Sequence, residues 1–152
     1  MFDLHAELKR LVDALDAADV EHALCGGLAM SVYGTDRPTK DIDLLIPVEG
    51  IEAFRAVAGS LGYTVEVPVV AFAAGAVEIR KFIRRDAAVG GDLSLKALMV
   101  TPDLARVWNR RECLPWEDRR LCVVSRWGMI ELKSLRRSPR DLEDISALRE
   151  SE

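Results

Sequence analysis

The apolar residues near the amino terminus recur with the spacing of an amphipathic helix. Five of them fall on one predicted helix face, namely Leu4, Leu8, Leu11, Val12 and Leu15. Residues three or four positions apart share such a face, and the preceding Asp3 is a favourable N-cap. The pattern therefore predicts a helix that begins near Asp3 and packs one apolar stripe against a core.

Short apolar runs and turn residues alternate through the next part of the chain. The run 20–25 ends at Gly26 and Gly27, where the backbone can turn tightly before a second helix. A proline ends the run 41–47, as is typical of a strand terminus. The pattern predicts strands 20–25 and 41–47, helices 28–33 and 48–61, and a loop over 35–40.

The carboxyl half continues with two further predicted strands. β-Branched and other apolar residues favour strands over 77–84 and 92–100. Thr101 and Pro102 then supply an N-cap and a first-turn proline, which predicts a helix through Asn109.

The carboxyl end is predicted to be helical. Ser125 and Ser138 can each cap a helix, and Asp141 gives Ser138 the spacing of a capping box. Across the whole chain, strands and helices alternate without a strict rhythm. This predicts an α+β fold in which helices pack on a mixed β-sheet.

Length and composition suggest a domain count and exclude some functional classes. A chain of 152 residues matches one ordinary domain, so we expect residues 1–152 to form a single domain. The net charge of -4 argues against a surface built for non-specific nucleic-acid binding. No apolar run is long enough for a signal peptide or a membrane span, so we expect a cytoplasmic protein with no membrane partner.

The cysteine content indicates neither a disulfide framework nor a zinc site. Cys25, Cys113 and Cys122 are an odd set without metal-binding spacing. We therefore expect three reduced thiols.

Two acidic residues on the predicted strand 41–47 are the first candidates for chemistry. Asp41 and Asp43 are two positions apart, so both side chains point to one face of the strand. Adjacent carboxylates repel each other unless a cation lies between them, and hard oxygen ligands suit Mg²⁺ or Mn²⁺. The pair predicts a metal site, whereas a single acid on an exposed strand is usually only solvated.

Gly26 and Gly27 are the second candidate feature. At a turn from strand to helix, bare backbone N–H groups can hold a phosphate. A glycine pair alone more often makes only a turn. Thirteen residues, 28–40, separate this pair from the acids, and the combination is more specific than either feature alone.

The combination resembles the signature of the DNA polymerase β superfamily of nucleotidyltransferases, in which a glycine pair precedes two acids flanking an apolar residue. The run R-P-T-K-D-I-D-L-L, which includes Arg37 and Thr39, is similar to an element of the small bacterial members. Those members include abortive-infection, toxin-antitoxin and antibiotic-modifying nucleotidyltransferases. The segment VVSRWGMIELKSLRRSPRDLEDISAL also looks similar, so the resemblance covers most of the chain.

The resemblance implies a nucleotidyltransferase fold and a reaction. An NTP and Mg²⁺ (or Mn²⁺) would bind, a hydroxyl of a small molecule or an RNA would attack the α-phosphorus, and pyrophosphate would leave. Paired cations stabilise both ends of such an in-line displacement. An antitoxin or a partner subunit is a further candidate partner.

The resemblance also assigns roles to residues. Asp41 and Asp43 would be the catalytic and metal-binding residues, and the candidate nucleotide-binding residues are Gly26, Gly27, Arg37 and Lys133. A plain helix-surface lysine is the alternative for Lys133, and a structural tie to an acid is the alternative for Arg37.

One position departs from the pattern of the family. Active members carry a third carboxylate on a neighbouring strand, and the matching residue in SLKALMV is Lys96. A lysine attracts a carboxylate and competes with a cation for it. Asp92 and, with less weight, Glu78 are the other acids that could supply the third ligand.

Three interpretations of the sequence follow. An active metal-dependent nucleotidyltransferase comes first, because both acids and the glycine pair are present. A catalytically degenerate protein of the same fold, which binds a nucleotide or a partner, comes second because of Lys96. A structural module whose motif only shapes a turn comes third.

Overall fold

A computed structural model describes residues 3–35, 39–86 and 91–150 of the chain. In these ranges the helices are α1 (Leu4–Ala17), α2 (Gly26–Val32), α3 (Ile51–Ser60), α4 (Ala105–Asn109), α5 (Arg126–Arg136) and α6 (Pro139–Glu150). The strands are β1 (Ala23–Cys25), β2 (Asp41–Pro47), β3 (Val65–Phe72), β4 (Val77–Asp86), β5 (Gly91–Val100), β6 (Glu112–Trp116) and β7 (Arg119–Val123). Short 3₁₀ turns, Val48–Gly50 and Pro102–Leu104, lead into α3 and α4.

The described strands form a seven-stranded sheet in the order β3-β4-β5-β2-β1-β7-β6. Strand β2 runs parallel to β5, and β1 runs parallel to β7, whereas the other neighbouring pairs are antiparallel. Strand β2 therefore lies inside the sheet, with β1 on one side and β5 on the other. The prediction of an α+β fold with a mixed sheet is confirmed.

Helices α1 and α3 cover one face of this sheet. Phe54 of α3 packs edge-on against Phe82 of β4, with ring centroids 5.6 Å apart. Glu7 of α1 accepts a hydrogen bond from Arg84 of the same strand. The apolar stripe predicted for α1 packs against this face of the sheet, and its burial stabilises the helix.

The acids of β2 point to the opposite face. Ile42 pairs with Leu95 of β5, and Leu95 pairs with Phe82, so these three side chains share the face covered by α1 and α3. Side chains alternate along a strand, and Asp41 and Asp43 therefore project from the other face.

Three predicted helix starts are confirmed by their hydrogen bonds. Asp3 Oδ1 accepts a backbone hydrogen bond in the first turn of α1, and Ser125 Oγ accepts one from Gly128 N at 3.1 Å. Ser138 and Asp141 cap α6 reciprocally, since each accepts a hydrogen bond from the backbone N–H of the other. Across the described residues, no helix combines the length and the apolar character that crossing a membrane requires.

The sequence pattern missed three strands and made the first strand too long. Strand β3 lies at the sheet edge with most of its residues exposed, so it lacks the alternating burial that marks a strand. Strands β6 and β7 are five residues each and carry several charged residues. The predicted strand 20–25 is shorter, because β1 covers only Ala23–Cys25 and α2 begins directly at Gly26.

The expectation of three reduced cysteines is wrong. Cys113 and Cys122 are directly opposite each other on the antiparallel strands β6 and β7 and form a disulfide. Cys25 is free and buried. The bridge was not predicted because the hairpin of β6 and β7, which brings the two residues together, was itself not predicted.

Candidate active site

The acid pair lies at the start of β2 with a parallel neighbour on one side. Asp41 is opposite Ser94 of β5, and Asp43 is opposite Lys96. On the other side, Asp43 is opposite Cys25, the last residue of β1. The two carboxylates are thus held on one face of a central strand, where the alternation of the sequence predicted them.

Gly26 follows β1 directly and lies against Asp43. Its φ of +69° is in the left-handed region, and an added Cβ would lie 2.7 Å from Asp43 Cγ. Any side chain at this position would meet the carboxylate and strain the backbone. Gly27 is also tight, since a Cβ there would lie 3.1 Å from the Thr39 side chain. The glycine pair and the acid pair are therefore adjacent, as the combined motif predicts.

Asp43 has an unsatisfied carboxylate oxygen. Its Oδ1 is buried, and no group in the described residues donates a hydrogen bond to it. Burial raises the pKa of Asp43 to about 6; Lys96 opposes this shift, and the charge of Asp41 adds to it. Buried polar atoms in folded proteins are normally hydrogen-bonded. An exception on a strand face that carries a second carboxylate is the arrangement expected where a cation binds.

Lys96 forms an ion pair with the other acid. Its Nζ is 3.3 Å from Asp41 Oδ2, and both side chains are about one third exposed. Strand β5 is the parallel neighbour of β2, and Lys96 is directly opposite Asp43. A lysine rather than an acid therefore lies next to the pair on this strand.

Neither of the other two acids replaces the missing carboxylate. Asp92 shares the face of Lys96 but lies four residues away along β5, opposite Arg85. Glu78 lies four residues before Phe82 on β4, so both side chains point to the face of the sheet opposite the acid pair. No three His, Cys, Asp or Glu side chains converge on one point in the described ranges. Asp41 and Asp43 fit one divalent cation, and the charge of Lys96 disfavours a second one beside it.

Two basic residues of α5 approach the acids from above the sheet. Lys133 and Arg136 line the same cavity as Asp43, and both are tied to acids of α6. Lys133 Nζ is 2.8 Å from Asp144 Oδ2, and Arg136 makes two hydrogen bonds to the Asp141 carboxylate. The Lys133 side chain is only 12% exposed, so it is not a plain helix-surface lysine. Its position beside the acid pair results from the packing of α5 on α6.

The cavity over this region measures about 440 Å³, a size that suits a small-molecule ligand. Gly26, Gly27, Asp41 and Asp43 lie on one side of it. The basic residues that line it are Lys40, Lys96, Lys133, Arg136 and Arg140. Asp144 also lines the cavity, so three carboxylates stand against five basic side chains, and this surplus of positive charge suits a polyanion that binds together with a cation.

Five of the six residues that the sequence predicted for nucleotide or metal binding meet in this cavity. They are Gly26, Gly27, Asp41, Asp43 and Lys133. Arg37 lies outside the described residues. Lys40, Arg136 and Arg140 were missed, although the basic run of Lys133, Arg136, Arg137 and Arg140 was the signal that could have indicated two of them. Such runs are usually solvated helix faces, so the signal was weak.

The chain is similar in structure to known nucleotidyltransferases. LnuA, a lincosamide antibiotic adenylyltransferase solved with bound lincomycin, aligns over 97% of this chain and 98% of its own, with a TM-score of 0.63 and 15% identity. ANT(2")-Ia, solved with adenylyl-2"-tobramycin, aligns over 96% and 87% with a TM-score of 0.67 and 17% identity. An antigenic nucleotidyltransferase-like protein from Paracoccidioides brasiliensis aligns over 91% and 72% with a TM-score of 0.52 and 19% identity.

The similarity is structural. The sequence matches no protein family model and no curated protein. At these identities the likeness shows the fold, and the chain has the nucleotidyltransferase fold over nearly all of its length.

Proposed function

We propose that this protein is a nucleotidyltransferase that transfers an NMP from an NTP to a hydroxyl group, with Mg²⁺ or Mn²⁺ bound at Asp41 and Asp43. The observation that carries the proposal is the buried, unpartnered Oδ1 of Asp43, a residue that shares a strand face with Asp41 and whose carboxylate lies against Gly26. A cation bound there gives Asp43 the partner that the described protein groups do not supply. We take residues 1–152 as the domain that does this.

Each group at the site has a role in this proposal. Asp41 and Asp43 hold the cation, whose charge stabilises the negative charge that develops at the phosphorus in the transition state. The backbone of Gly26 and Gly27 lies under the triphosphate, where the absence of side chains allows close approach. Lys133 and Arg136 add positive charge toward the leaving pyrophosphate.

Lys96 distinguishes this site from one with two metal ions. Its ammonium group pairs with Asp41, and Lys96 is opposite Asp43 on β5, so a fixed positive charge takes the place of a second cation. The attacking hydroxyl would then be oriented by Lys96 and the single cation. The same ion pair favours a second candidate function, a degenerate nucleotide-binding protein in which Lys96 holds Asp41 away from the metal.

The experiment measures nucleotide binding and transfer separately. For binding, Mg²⁺ with a saturating NTP at a hundred times its Kd is expected to raise the melting temperature by about 5 °C or more. For transfer, each NTP labelled in the α-phosphate is incubated with Mg²⁺ and an acceptor panel. Lincomycin, tobramycin and a short RNA belong in the panel, because the first two are named in the structures of LnuA and ANT(2")-Ia.

A matched pair of variants tests the site itself. Asp41→Asn removes a proposed metal ligand, whereas Asp92→Asn makes the same chemical change on the same sheet face, four residues from Lys96 along β5. The proposal expects transfer to be lost in Asp41→Asn and kept in Asp92→Asn. Binding of the NTP without transfer to any acceptor would favour the degenerate protein, and no binding of any NTP would refute both candidates.

A further inference from the structure

A second, smaller cavity opens beside the acid pair. It measures about 100 Å³ and shares five residues with the larger one: Gly26, Asp43, Lys96, Lys133 and Arg136. Apart from Cys25 and Asp141, the rest of its wall is apolar, formed by Phe72, Val77, Ile79, Leu98, Met129 and Leu132. The cleft therefore has a basic half and an apolar half, and Asp43 lies at their junction.

The sheet order places the two halves on opposite sides of β2. Gly26 and Gly27 follow β1, whereas Ile79 and Leu98 belong to β4 and β5. Strand β2 separates β1 from β5. A triphosphate over the glycines thus lies toward β1, and the apolar cavity lies toward β5.

In-line displacement assigns a reactant to each side. The attacking oxygen and the leaving oxygen lie on opposite sides of the α-phosphorus. If pyrophosphate leaves over Gly26 and Gly27, the acceptor approaches from the side of Lys96 and Leu98. The new O–P bond forms there, the bond from the α-phosphorus to the bridging oxygen breaks, pyrophosphate takes the electron pair, and the hydroxyl proton passes to solvent.

We infer that the apolar cavity binds a compact apolar group of the acceptor, and that the acceptor is a small hydroxyl compound rather than an RNA. This inference rests on the proposed function. A nucleic acid carries a phosphate at every nucleotide, and its binding sites are lined by cations. Beyond the residues shared with the larger cavity, the described wall carries six apolar side chains and adds no Lys or Arg. The cavity is smaller than the roughly 150 Å³ cavity that takes up benzene, so the group it fits is a short branched alkyl chain.

The test uses NMR on protein with labelled amides and methyl groups. A non-hydrolysable NTP analogue is added with Mg²⁺, and its binding is read from the amides of Gly26 and Gly27. Isobutanol is then titrated as the probe, with ethylene glycol as the matched alcohol without an apolar group. Isobutanol is expected to give NOEs to the methyl groups of Ile79, Leu98 and Leu132 while the analogue stays bound, and ethylene glycol is expected to give none.

The outcomes separate this inference from the proposed function. No change at Gly26 and Gly27 refutes the proposed function and the inference with it. Binding of the analogue without NOEs from isobutanol refutes the inference alone. NOEs from the nucleobase to the same methyl groups also refute it, because the cavity would then hold the base.

Two variants test the inference through their affinity for isobutanol. Leu98→Phe fills the cavity and is expected to weaken isobutanol binding by about tenfold or more, while the analogue still binds. Val65→Phe adds a ring at an exposed position at the far end of β3 and is expected to leave both unchanged. The inference is overturned if wild type and Leu98→Phe bind isobutanol with equal affinity. It is also overturned if both label RNA to the same extent.

Discussion

Two acidic residues on opposite faces of the sheet differ in how their carboxylates are hydrogen-bonded. Glu7 on α1 is 7% exposed, and its Oε1 accepts hydrogen bonds from the Tyr63 hydroxyl, Arg84 and Arg10. Asp43 has a buried Oδ1 that accepts none in the described residues. Each lies near positive charge, but only Glu7 is hydrogen-bonded by its neighbours.

The difference indicates what each residue is for. A buried carboxylate that is fully hydrogen-bonded joins elements of structure, and Glu7 joins α1 to β4 and to the end of α3. A buried carboxylate without a partner costs free energy, and proteins tolerate this mainly at functional sites. The face with Glu7 is therefore structural, and the face with Asp43 is the candidate for chemistry.

Asp43→Asn tests the functional side and is expected to have the largest effect. The loss of a charged metal ligand should lower transfer by about a thousandfold or more, which corresponds to several kcal/mol of charge stabilisation. Stability should be unchanged or higher, because a poorly solvated buried charge is removed. Labelled-NTP transfer and urea unfolding measure the two effects. A strong loss of stability would mean that Asp43 is structural like Glu7.

Glu7→Gln tests the structural side with the opposite expectation. It leaves Arg84 and Arg10 without their shared acceptor charge, so the free energy of unfolding should fall by about 3 kcal/mol. Mg²⁺–NTP binding should be unchanged, since α1 lies on the other face of the sheet. Urea unfolding gives the first quantity and calorimetry gives the second. Glu143→Gln is the control, as Glu143 is an exposed acid of α6; an equal loss in both variants would contradict the comparison.

Asp141 is hydrogen-bonded like Glu7, and its contribution to stability is expected to depend on pH. Burial alone would raise the pKa of Asp141, but hydrogen bonds from Arg136 and Ser138 outweigh this and hold the pKa below its usual value. A lowered folded-state pKa gives stability above the unfolded pKa of about 4 that is lost as the pH falls toward the folded value. Between about pH 5 and pH 2, wild type should therefore lose about 1 to 2 kcal/mol more than Asp141→Asn. Parallel losses in thermal unfolding would show that the capping contacts of Asp141 contribute nothing.

Lys96→Asp tests the proposed metal site near Asp43 and is expected to have a smaller effect, on metal affinity. It restores a third carboxylate opposite Asp43 and releases Asp41 from its ion pair. Mn²⁺ affinity should rise by about tenfold, a modest value because the pair is partly solvated. Titration of Mn²⁺ followed by electron paramagnetic resonance measures it. Lys96→Met, which removes the charge without adding a ligand, should give a smaller rise; an unchanged affinity in both variants would show that Lys96 does not compete with the cation.

Local pattern predicted the elements that form the centre of the fold. The spacing of three and four in α1, the run that became β2 and the caps at Asp3, Ser125 and Ser138 all depend on residues close in sequence. The glycine pair and the acid pair were also recognisable as one motif. Strands β3, β6 and β7 were not, because β3 is exposed along most of its length and β6 and β7 are only five residues long, too short for a clear alternating pattern.

The sequence by itself determined that Asp41 and Asp43 share one strand face, because that follows from the two-residue repeat of any strand. It could not determine that Asp43 Oδ1 would be buried without a hydrogen-bond partner among the described residues, or that Lys133 would line the same cavity, held by Asp144. These features depend on the parallel pairing of β2 with β5 and on the packing of α5 against α6. Such contacts join residues far apart in the chain, and only the tertiary structure specifies which of them meet.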